Sequence, residues 1–203
     1  MGLDKINDII LYIPTAAGLL VFAWVFVKSL RGRLTMSALK KLVLFFAIFM
    51  GAIIITKIFL QYEIYKNDPF GKLFIPPYNT INWFVFSMWK KFVAQYLFAL
   101  VAGVLMYIAA LFTDTRFKRE LFVEQDPYIL ILAAIAIGWP NFVLFLVLAA
   151  ILTVAQSAIA SAMKKNFTGH RVIITNALLI SALLILIFGN AAGQYVKIWM
   201  LTI

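Results

Sequence analysis

The chain has no cysteine and a single histidine, His170. Without thiols there is no disulfide, no thiolate-held metal or iron–sulfur cluster, and no cysteine nucleophile. One imidazole does not make a histidine metal centre, so neither a metal nor an organic cofactor is expected. Charge is scarce as well. Asp, Glu, Lys and Arg make up 13% of the 203 residues, against about 25% in a soluble domain. Acids are the rarer sign, eight against 18 Lys and Arg. No Walker loop, zinc motif, Gly-rich dinucleotide turn or Gly-x-Ser-x-Gly elbow is present.

What fills the chain is apolar. Hydrophobic residues reach 65% and the mean hydropathy is +0.99. That excess must face lipid, and lipid-exposed backbone has to satisfy its own hydrogen bonds, which a helix does within one segment. Runs such as Leu42–Met50 lack the alternation of a barrel strand. The expectation is an all-α, polytopic membrane protein forming one transmembrane domain of about six spans, at roughly 20 residues each. The spans are placed at 9–27, 42–61, 92–112, 126–138, 142–163 and 172–188. The first carries Pro14. It follows a start too acidic for a signal peptide, and no small-residue cleavage site comes after it, so it is expected to be retained.

Two segments do not fit a plain span. Ile81–Trp89 is aromatic, ends in Lys90-Lys91 and is too short to cross, so it reads as an interfacial helix. Ile129–Ile137 is bounded by Asp126-Pro127 and Gly138-Trp139-Pro140. It reads as a short, broken fourth span, a half-crossing whose start faces the cytoplasm.

The basic residues lie in short loops, as the positive-inside rule expects, which argues against nucleic acid as a partner. Loops 28–41, 113–127 and 164–171 hold eleven Lys and Arg, including all five arginines, against six in the remaining loops and tails. This bias predicts an inner (plasma) membrane protein with both termini outside. Lys57, near the end of the second span, is expected to snorkel to the interface. A functional intramembrane lysine is the alternative.

The candidate chemistry lies between Asp114 and Asn141, which holds four of the eight acids. Asp126 opens the fourth span before Pro127. It can serve the helix N-terminus, or act as a membrane-boundary acid or base. Asp114 follows the third span and could pair with it across the loop. Gln156, with Thr153, Ser157 and Ser161 near it, and Asn176, beside Thr175, are the intramembrane polar residues. They are read first as interhelical hydrogen-bonding groups.

Residues 124–190 resemble the C-terminal part of the type IV prepilin peptidases, which are membrane aspartyl peptidases. Asp126 opens a helix, LAAIAIGWP follows at matching spacing, then a long apolar run to Lys164-Lys165, then RVIITNALLISALLILIFGN. The resemblance implies a catalytic aspartate at Asp126, a second on the same membrane face, and a pseudopilin-like substrate. Val123-Glu124-Gln125 stands where that family has glycines, and Tyr128 where it has lysine. Asp68, before Ile75-Pro76, imitates the second aspartate, but the charge count puts it on the opposite face. Asp114 is on the matching face. The whole chain also resembles small bacterial multi-span proteins with a similar Pro-Pro-Tyr loop and an acidic pair before the fourth span, which implies no activity.

Three functions follow as expectations. The first is a non-catalytic scaffold or subunit of an envelope assembly, with lipid and other membrane proteins as partners. The second is an intramembrane aspartyl peptidase using Asp126 and Asp114. The third is a small transporter built on the broken fourth span.

Overall fold

The computed structural model describes residues 3–117, 123–164 and 174–195, which are almost wholly helical, with no strand among them. The helices are α1 (Leu3–Leu30), α2 (Met36–Asn67), α3 (Ile81–Met88), α4 (Ala94–Phe117), α5 (Asp126–Ile137), α6 (Asn141–Lys164) and α7 (Ile174–Tyr195). Four stretches are long and apolar enough to cross a membrane: Tyr12–Leu30, Met36–Asn67, Ile81–Ala109 and Asn141–Ile159. α5 and the Ile174–Gly189 part of α7 are shorter apolar helices. The protein is a polytopic helical membrane protein.

α1 and α2 form an antiparallel pair. Gly32 turns the chain at φ 63, and Thr35 caps α2 by accepting from the Ala38 N–H at 3.3 Å. A Cβ on Gly32 would meet nothing within 4 Å. Gly32→Ala should therefore cost only its backbone strain, about 1 kcal/mol, measured as a shift in unfolding free energy in bicelles. Lys28, Arg31, Arg33, Lys40 and Lys41 make this the basic end of the bundle. Asp68 closes the far end of α2, its Oδ2 accepting from the Gly71 N–H at 2.6 Å.

The aromatic segment expected to lie apart at the interface leads instead directly into the third span. α3 passes through a π turn, Trp89–Val93, into α4 without a break. Lys90 and Lys91 are exposed, so their charges do not stop the helix, and no Gly or Pro stands between Ile81 and Ala102 to end it.

α5 is the centre of the fold. Eight of its 12 residues are buried, and a helix apolar on every side belongs inside. α1, α2, α4 and α7 pack around it. Gln95 O accepts from the Trp139 N–H at 2.9 Å. A Cβ on Gly103 would lie 3.5 Å from Ala134 Cβ and 3.8 Å from Leu130 O, so α4 runs antiparallel to α5. Gly18 faces both Ala136 and Leu186, which sets α7 parallel to α5. At about 1.5 Å per residue, α5 rises about 18 Å, well short of a hydrocarbon core of about 30 Å. The chain turns at Gly138, and α6 begins beside Gly189, where Asn141 Cγ would lie 3.5 Å from an added Cβ. α6 packs along α7 and is joined to its start by nine residues. It therefore runs back toward the end from which α5 set out. α5 and α6 are the unequal arms of a helical hairpin.

Ser181, on the core face of α7, is fully buried and its hydroxyl has no hydrogen-bond partner among the described residues. Ser181→Ala should stabilise the protein by roughly 1 kcal/mol, because an unmet hydroxyl is removed with little change of volume. Equal or lower stability in the same unfolding assay would show that the hydroxyl does have a partner.

Candidate functional site: the buried carboxylate at the start of α5

Asp126 is 0% exposed. Three pieces of local chemistry hold it. The Asp126 N–H donates to Val123 O at 2.9 Å, closing a turn just before the helix. Pro127 follows in the first helical turn, where a missing N–H is harmless and the fixed φ suits the helix. The carboxylate then reaches back, Oδ2 accepting from the Val123 N–H at 2.8 Å. The cap position itself belongs to Gln125, which makes no side-chain cap bond. Asp126 therefore locks the turn ahead of the helix rather than capping an N–H inside it.

The second oxygen ties α5 to α7. Thr175 Oγ1 donates to Asp126 Oδ1 at 2.5 Å, and both side chains are buried. Gln125 adds a third tie, its Nε2 donating to Leu34 O at 2.9 Å. Lys40 stands over the Tyr128 ring, 5.5 Å from its centroid. The start of α5 is thus fastened to the α1–α2 turn on one side and the start of α7 on the other. Glu124, next to it, is exposed. Among the described residues no cation pairs with Asp126 and no group of acids, histidines or cysteines could hold a metal.

The other candidates are not gathered here. Asp114 belongs to α4, while its side chain lies outside what the structure describes. Past the Gly103 contact, α4 has about 16 Å to run to Asp114, and α5 only about 8 Å back to Asp126. Both residues are at the basic end, with Asp114 offset by roughly a turn and a half of helix. Asp68 is elsewhere: α2 has 32 residues and spans about 48 Å, with the α1–α2 turn tied to Gln125 at one end and Asp68 at the other. Gln156, on α6, and Asn176, on α7, are half-buried. Thr175, beside Asn176, is the residue that meets Asp126. Lys118, Arg119 and the loop holding Lys165, His170 and Arg171 lie outside the described residues.

Lys57 is 7% exposed; α2 continues ten residues beyond it and packs there against the π turn and the Gly71–Phe74 segment.

No family model matches the chain, and no curated protein or solved structure is significantly similar to it.

Proposed function

We propose that this chain is a non-catalytic scaffold or assembly subunit of an inner (plasma) membrane, with both termini outside, and that Asp126 is a structural tether. One observation carries this reading. Both carboxylate oxygens of Asp126 accept bonds from the protein's own donors at a fully buried position. A nucleophile or general base must present a lone pair to its substrate within about 3 Å, and this carboxylate has no open side. The Lys and Arg bias supports the orientation. The outer face of α6, where Ile151, Val154 and Ile159 are exposed, is the surface offered to a partner helix or to lipid.

A photo-crosslinking residue at Val154 tests the reading in intact membranes. A scaffold gives a discrete adduct with another membrane protein, and Asp126→Asn leaves that adduct in place. Adducts with lipid alone would contradict the scaffold.

A second reading, the aspartyl peptidase, draws on one fact: the antiparallel packing of α4 and α5 brings Asp114 to the same end as Asp126. Two carboxylates sharing a proton need a separation of about 3 Å. Under this reading Asp114→Asn and Asp126→Asn would each abolish cleavage of a co-expressed pseudopilin-like substrate. Wild-type protein that leaves such a substrate intact contradicts it.

A further inference from the structure

Away from Asp126, the described residues hold one long cationic side chain that is both buried and unpaired. Lys57 makes no hydrogen bond or ion pair among the described residues. One turn on, Gln61 is 8% exposed, and its Oε1 accepts from Lys91 Nζ at 3.2 Å. Lys57 and Gln61 share a face of α2, four residues apart, and this part of α2 packs against the π turn that carries Lys90 and Lys91. A π turn inserts a residue into the helix and re-aims the side chains around it, and such turns recur at functional sites.

Among the described residues the surroundings supply no counter-charge. Glu63 faces Lys66 at 4.0 Å, and Asp68 is engaged by the Gly71 N–H. Nearby lies an apolar cluster of Phe84 and Met88 with Ile58, Tyr62 and Phe92. Most of the Lys57 side chain is covered while its ammonium keeps some exposure, so a bound anion would meet a partly desolvated charge and be favoured there. The cluster is toward the end of α2 opposite the arginines, so the charge bias of the basic end does not account for it.

We propose that Lys57, Gln61 and Lys91 form a binding site for the anionic phosphate headgroup of a membrane amphiphile. Two ammonium groups supply the charge, since lysine binds phosphate as a point charge. With its oxygen taken by Lys91, Gln61 keeps an amide NH2 to donate.

Thermal unfolding of the full chain in dodecyl maltoside tests this, with short-chain phosphatidylglycerol, short-chain phosphatidylcholine or inorganic phosphate added. Phosphatidylglycerol should raise the unfolding temperature saturably and phosphatidylcholine should not. Lys57→Met should unfold at the same or a slightly higher temperature than wild type without lipid, since a partly desolvated charge is gone. It should bind phosphatidylglycerol about tenfold more weakly or worse, the loss of roughly one charged contact. Lys57→Arg should keep most of the affinity. Lys72→Met removes an exposed charge at the same end and should bind as wild type. Competition by millimolar inorganic phosphate would support the anion chemistry and assign its source to soluble phosphate. Unchanged binding in Lys57→Met, or an equal loss in Lys72→Met, overturns the site. None of these outcomes depends on the scaffold reading.

Discussion

Gly138→Val should leave little folded protein in the membrane. Gly138 ends α5 at φ 69 and ψ 168, a region open essentially to glycine alone, where another residue costs about 1–3 kcal/mol. Its surroundings close the remaining escape. A Cβ there would lie 3.2 Å from Tyr96 Cε1 and 3.4 Å from Cδ1. The Trp139 N–H bond to Gln95 O holds that part of α4 against the turn, so the ring cannot retreat without breaking the contact. The Gly138 N–H and C=O are committed as well, to Ala134 O and the Phe142 N–H. Strain and overpacking together should cost about 3–5 kcal/mol, a large share of a typical stability of about 5–15 kcal/mol. Gly138→Ala should cost less, and Tyr96→Leu should rescue only its steric part. Unfolding in bicelles reads both. A Gly138→Val protein within about 0.5 kcal/mol of wild type would mean that the turn has another conformation.

Asp126→Ala should be the next most damaging change. It leaves the buried Thr175 hydroxyl and the half-buried Val123 N–H without their acceptor. Each unmet group costs about 1–3 kcal/mol, so the loss should reach about 2–5 kcal/mol. Asp126→Asn keeps a carbonyl oxygen for Thr175 but sets an NH2 against the Val123 N–H, and should fall between wild type and Ala. The order Ala below Asn below wild type, read as unfolding free energy, separates a tether from an idle residue. If all three are equally stable, the bonds around Asp126 contribute nothing.

The helical membrane fold was legible because it rests on composition and on breakers. Pro127, Gly138 and Pro140 bracket α5 in the sequence as they do in the structure, and its short length is visible in Ile129–Ile137. The aromatic segment was harder. Lys90-Lys91 reads as a boundary, yet two exposed lysines on a continuous helix disturb no backbone bond. The degree to which Lys57 is covered was not legible, because it comes from tertiary packing of this part of α2 against the π turn and the Gly71–Phe74 segment, which no local pattern encodes. At the site, the sequence marked Asp126 but not its bond to Thr175, 49 residues on. That contact depends on α5 and α7 running parallel, a property of the whole bundle. Ser181 carried no signal, since a serine in an apolar run looks the same whether its hydroxyl is met or not.

The most direct test of Asp126 as a tether is a double-mutant cycle with Thr175. Asp126→Ala, Thr175→Val and the double variant would be compared by unfolding free energy in bicelles. A structural bond between the two predicts a coupling of about 1 kcal/mol or more, with the double variant losing less than the two single losses combined. A coupling indistinguishable from zero, with Asp126→Ala as stable as wild type, would contradict the tether. It would leave the carboxylate free for the chemistry that the scaffold reading denies it.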